Sequence, residues 1–125
     1  MNLLLDTHIL IWWLENNPRL PSEAQKAITE PSNLVYVSAI TVWEIGIKKA
    51  IGKLTIPDNL EEALVVNRFQ LLPITISHAL VAGKLPLLHS DPFDRMLVAQ
   101  AQVEILTIVT VDDRIKQYNV NYLKI

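Results

Sequence analysis

The stretch MNLLLDTHILIWWLE (residues 1–15) sets a carboxylate between two apolar runs. Residues 1–5 read as a buried strand, and Ile9 to Leu14 as the apolar body of a helix. Asp6 stands between them. An unpaired buried carboxylate is costly, so something compensates it. Asp6 either caps the helix that follows, a position Asp favours, or belongs to a site.

Working outward, the same alternation recurs. After strand 2–5 and the helix THILIWWLEN, Pro21-Ser22-Glu23 opens a helix that runs to about Thr29 and is ended by Pro31. LVYV (34–37) is a second strand, and Ser38 is placed to cap AITVWEIGIKKAIGK. Pro57-Asp58 begins the helix NLEEALVVNRF; LLPIT (71–75) is a third strand; ISHALVAGKL is helical, with Gly83 near its end. DPFDRMLVAQAQVE is the clearest helix, with Asp91 as its cap and Pro92 at its first position. ILTIVT (105–110) is a fourth strand, DDRIKQY a short helix, and NYLKI a fifth strand. Short, continuously apolar strands alternating with helices predict an α/β fold: a parallel β-sheet flanked by helices on both faces. Ligands in such folds bind beyond the carboxyl ends of the strands.

The chain has 125 residues, half of them apolar, which is enough for one domain spanning 1–125 with a sizeable core. It has no cysteine, so disulfides, thiolate metal sites and cysteine nucleophiles are excluded. No apolar run near the start is long enough to cross a bilayer, and no signal peptide is legible. The expectation is a cytoplasmic protein with no membrane association. A net charge of −2 leaves no basic footprint for nucleic acid, although carboxylates filled with divalent cations would reverse the sign locally.

The acids fall near the ends of these elements. Asp6 follows strand one, and Asp112 and Asp113 follow strand four after Thr110. Glu44 lies two turns into the helix after strand two, and Asp91 and Asp94 open the helix before strand four. Each has a plain structural alternative. Asp91 and Asp94 fit a helix start, and Asp112 or Asp113 fits a turn. Glu44 fits an i,i+4 pair with Lys48, or it is deliberately buried among Ile40, Val42, Trp43, Ile45 and Ile47. Taken together, carboxylates gathered at one sheet edge repel one another, and bound cations offset that repulsion. An all-oxygen site suits Mg²⁺ or Mn²⁺, ions that activate water and stabilise a leaving oxygen.

Four stretches then carry a specific resemblance: LLLDTHILIWWL, VYVSAITVWEIGIKKAIGKL, HSDPFDRMLVAQA and ILTIVTVDDRIKQY. In order and spacing they resemble the four acidic motifs of PIN-domain ribonucleases, above all the VapC-type toxins of bacterial toxin–antitoxin pairs. The likeness covers essentially the whole chain, and DPFDR is its most specific element. It implies a metal-dependent endoribonuclease acting on RNA, restrained by a cognate antitoxin and usually a homodimer. Carried over by motif, Asp6, Glu44, Asp94 and Asp112 are the four metal-binding and catalytic acids. The Thr-x-Asp pattern selects Asp112 over Asp113. Asp91 caps and orients, and Thr7, Ser38 and Thr110 are supporting residues.

Other features stand apart from that site. His8, His78 and His89 are scattered and read as packed or exposed rather than as ligands. Trp12 and Trp13 read as core or dimer surface, and Lys48, Lys49 and Lys53 as a solvated basic patch at a helix end. Arg95 pairs with a carboxylate or meets a phosphate. Among rival functions, Gly46, Gly52 and Gly83 form no phosphate-binding pattern, which counts against a nucleotide-binding domain. A haloacid-type phosphatase would carry Asp-x-Asp after strand one, where this chain has His8. The alternatives kept open are a non-catalytic PIN-like protein-binding module and a metal-dependent nuclease or phosphatase outside toxin–antitoxin systems.

Overall fold

In the computed structural model, which describes residues 1–54, 56 and 58–125, the first fifteen residues fold as their pattern requires. β1 (Asn2–Leu5) is followed at once by α1 (Thr7–Leu14). Leu3, Leu4 and Leu5 have no exposed surface, because β1 is the middle strand of a five-stranded sheet. The remaining elements are α2 (Ser22–Thr29), β2 (Leu34–Ser38), α3 (Ala39–Ala50), α4 (Leu60–Val66), β3 (Gln70–Leu72), α5 (Ile76–Lys84), α6 (Pro92–Glu104), β4 (Thr107–Val109), α7 (Asp113–Lys116) and β5 (Asn121–Tyr122). All strand pairings are parallel, in the order β3-β2-β1-β4-β5.

Alternate residues of β1 face opposite layers. Leu3 and Leu5 pack with Ile9 and Leu10 of α1, Ala24 and Ile28 of α2 and Leu64 of α4. Leu4 packs on the other face with Leu97 and Val98 of α6 and Ile115 of α7. Helices therefore cover both faces, as the apolar strands require. The chain runs from β1 outward to β2 and β3, then returns to place β4 and β5 on the far side of β1. That reversal makes the carboxyl ends of β1 and β4 the switch point of the sheet, where such folds open a crevice.

The elements differ from the sequence expectation mainly at their ends. The third strand stops at Leu72 rather than residue 75, because Pro73 has no N–H to give the ladder. The fourth begins at Thr107 rather than 105. Ile105 instead ends α6 in a left-handed conformation (φ 58°), and the Leu106 N–H returns to the Ala101 carbonyl at 2.9 Å. α3 ends at Ala50, three residues early, because Gly52 turns the chain at φ 76°. α4 starts at Leu60, with Asn59 before it, and the Pro57 proposed to open that helix lies outside the described residues. The fifth strand is only Asn121–Tyr122.

Candidate metal centre

Asp6 caps the helix that follows it and bonds across to the end of β4. Its Oδ1 accepts the Ile9 N–H at 2.9 Å and caps α1, and its Oδ2 accepts the Thr110 hydroxyl proton. Its own N–H donates to the Val109 carbonyl at 3.1 Å, which extends the β1–β4 ladder to the site. Asp6 is buried, and that burial raises its carboxyl pKa even though the two hydrogen bonds pull the other way.

Thr110 ties the two strand ends together. Its Oγ1 donates to Asp6 and accepts the Asp112 N–H at 3.0 Å. Asp112 caps α7 by accepting the Arg114 N–H at 2.9 Å. Partial burial pushes the Asp112 carboxyl up, but hydrogen bonds from the Arg114 backbone and guanidinium outweigh it, and the net shift is downward. Asp112 Oδ2 also faces His89 Nε2 at 3.7 Å.

Asp91 caps α6, accepting the Phe93 N–H at 2.8 Å and the Asp94 N–H at 3.4 Å. Asp94 in the first turn is pushed up to about 6, by burial first and then by the neighbouring charge of Asp91, with His89 opposing. Its Oδ2 lies 2.7 Å from His89 Nε2.

His89 is the residue that reading the sequence missed. It is buried, its Nε2 also lies 3.7 Å from Asp112 Oδ2, and His89, Asp94 and Asp112 bring ligand-type atoms within 4.8 Å of one another. The ring thus lies against two of the acids as a hydrogen-bonding neighbour. Its Nδ1 accepts the Asp91 N–H at 3.4 Å, which leaves the proton on Nε2 to donate to Asp94. The only signal in the sequence is the five-residue step from His89 to Asp94 across a helix cap, a spacing that matches neither helix nor strand periodicity.

Glu44 satisfies both of its readings. It pairs with Lys48 at 3.3 Å, and it is buried with Oε1 accepting the Thr7 hydroxyl at 2.6 Å. Thr7 follows Asp6 in the chain, but Glu44 stands outside the group in which His89, Asp94 and Asp112 bring their ligand-type atoms together. Ser38 is fully buried, but its hydroxyl accepts the Ile40 N–H at 3.0 Å and serves the start of α3 rather than an acid. Arg95 takes neither role expected of it. Its guanidinium donates to the carbonyls of Ala82, Leu85 and Pro86 at 3.0 to 3.1 Å and to the Tyr118 hydroxyl at 3.3 Å. Tyr118 in turn accepts the His89 N–H at 3.0 Å, so Arg95 braces the loop that carries His89.

The donor set fits a divalent cation. Burial disfavours the ionised forms of Asp6 and Asp94, and neighbouring carboxylates add to it, Asp112 at Asp6 and Asp91 then Asp6 at Asp94. Hard carboxylate oxygens suit Mg²⁺ or Mn²⁺ better than a soft metal.

A model of the PIN domain family matches residues 3–121 of the chain. No curated protein matches it by sequence. Among solved structures, it is similar to VapBC2 from Rickettsia felis bound to a DNA fragment from their promoter, at 18% identity and a TM-score of 0.74 over 98% of both chains. It is also similar to VapBC-1 from nontypeable Haemophilus influenzae, at 22% identity and a TM-score of 0.66 over 98% of this chain and 97% of that one. A toxin–antitoxin complex from Klebsiella pneumoniae matches at 22% identity and a TM-score of 0.65, over 97% of this chain and 95% of that one. At these identities the solved structures show the fold.

Proposed function

The chain belongs to the PIN domain family, and from that premise we propose that it is a metal-dependent endoribonuclease, the toxin of a toxin–antitoxin pair, working as a single domain over residues 1–125. The observation that carries the reading is the convergence of Asp6, Asp94 and Asp112, with Thr110 and His89 between them, at the switch point of the sheet.

In this reading Asp6, Glu44, Asp94 and Asp112 hold Mg²⁺, or Mn²⁺ in its place. When bound, the ion supplies Lewis acidity toward a phosphodiester and toward the attacking water. The rest of the chemistry belongs to the chain. Thr110 holds the Asp6 and Asp112 ends of two strands in register. His89, through Nε2–H, turns Asp94 toward Asp112. Thr7 and Lys48 fix the two oxygens of Glu44. Asp91 starts α6 so that Asp94 projects from its first turn.

The substrate is RNA and the attacking group is water. Water attacks phosphorus in line with the P–O3′ bond, which breaks; O3′ leaves and takes up a proton as the 3′-hydroxyl, the phosphate stays on the 5′ oxygen of the next nucleotide, and with the ribose 2′-hydroxyl uninvolved no cyclic phosphate forms. The partner is a cognate antitoxin, a reading supported by the toxin–antitoxin complex among the similar structures. A homodimer is also expected. Exposed apolar side chains such as Trp43, Ile51, Ile76 and Leu80 leave surface for protein partners. Among the described residues no helix is long and apolar enough to cross a membrane, and a cytoplasmic location accords with this function.

End-group analysis of cleaved RNA tests the reading, with a chelator and the Asp94→Asn variant as controls. We expect 5′-phosphate ends and loss of cleavage in both controls. Cyclic phosphate ends, or cleavage that persists in both, would overturn the mechanism.

A further inference from the structure

Beside the carboxylates, a groove of about 590 Å³ runs along α1 and the end of α3. His8, Trp12, Glu15, Arg19, Lys48 and Lys53 line it. His8 and Trp12 are four residues apart on α1 and share one face, with ring centroids 6.0 Å apart and planes tilted by 46°. Three cations face one carboxylate here, although the whole chain carries −2. Glu15 is itself engaged by the Asn17 amide at 3.3 Å. Among the described residues, neither Arg19 nor Lys53 has an ion-pair partner.

The groove abuts Glu44 through Lys48. Lys48 bonds Glu44 at 3.3 Å, Glu44 bonds Thr7, and His8 is the next residue on α1. Cations spaced along a groove with aromatic rings between them match a single nucleic-acid strand: phosphates meet the charges and a base lies against a ring. A protein segment would need acidic residues at matching positions, whereas a nucleic-acid strand carries a phosphate at every step.

We propose that this groove binds the RNA strand on one side of the cleaved phosphodiester, with a base against Trp12 and His8 and the flanking phosphates at Arg19, Lys48 and Lys53. The proposal rests on the nuclease reading for what happens to the strand, and on the groove alone for where the strand lies.

The test is fluorescence anisotropy of a short labelled oligouridylate, comparing wild type with a His8→Ala/Arg19→Glu/Lys53→Glu variant across a salt series. Removing one stacking ring and two phosphate contacts should weaken binding roughly tenfold or more. The slope of log affinity against log salt should fall by about 1.4, at about 0.7 per contact. Mn²⁺ affinity by calorimetry and the melting temperature should not change. If the triple variant folds poorly, Lys53→Gln and Arg19→Gln tested separately carry the comparison. Wild type that binds the strand but does not cut it would end the nuclease reading and leave the groove in place. Unchanged strand affinity in the variant, or no binding by wild type, would overturn the groove. So would a variant that keeps strand affinity and loses the antitoxin, because the surface would then be a protein dock.

Discussion

Asp94 shows how one side chain records its surroundings. Unfolded, its carboxyl titrates near 3.8; folded, it is pushed up to about 6. The folded chain therefore holds that proton more tightly. As pH rises from about 4 to about 6 the unfolded state loses it first, so the contribution of Asp94 to stability is present below 3.8 and is lost through the folded value. In chelator, Asp94→Asn should melt with wild type near pH 4 and above it beyond pH 6, while a divalent ion should shrink that gap. Melting curves at stepped pH check this, and a constant difference across the range would refute it. At this scale Asp6, Asp94 and Asp112 are legible because each sits at an element end, and Glu44 because it stands in mid-helix among apolar neighbours. His89 is not, because its partner lies across a backbone turn rather than along a repeating face. Arg95 was ambiguous for a related reason: its partners are loop carbonyls, which no side-chain pattern announces.

At the scale of elements, the acids double as helix starts. Asp6, Asp91 and Asp112 cap α1, α6 and α7 with one oxygen each. This is why a capping acid and a ligand acid cannot be told apart in the sequence: a capping carboxylate uses one oxygen and keeps the other. The helix ends were harder to read. Ile105 was placed in a strand because its neighbours are apolar and β-branched, yet it ends α6 with φ 58° and is 78% exposed. A β-branched residue in that conformation is strained, and exposure means its side chain contributes little burial. Ile105→Gly should stabilise the protein by about 1 kcal/mol. Chemical denaturation would show a higher midpoint with an unchanged slope, and a lower midpoint would mean that the isoleucine makes contacts worth more than its strain.

For the whole molecule, the alternation of strands and helices was enough to predict a parallel sheet covered on both faces. The order of the strands was not, because all five are short and apolar and nothing local states which neighbour each one takes. That order matters for metal binding, since it brings β1 and β4 side by side and so joins residues from both ends of the chain. An ion held by the folded form alone stabilises it by mass action, about 2.7 kcal/mol at a hundredfold excess over its dissociation constant. Adding Mn²⁺ to chelator-treated protein should raise the melting temperature by several degrees, and Asp112→Asn should blunt the rise. An equal rise in that variant would place the ion elsewhere.

The bond between Thr110 and Asp6 spans 104 positions of sequence. Translation therefore delivers the first acid long before its partner. At about 5–20 residues per second, roughly 5–20 s of synthesis separate the two. Throughout that interval the nascent chain lies beside ribosomal RNA, messenger and transfer RNA with no assembled centre to act on them. Any chain that stops before β4 carries Asp6 without the hydroxyl that bonds it.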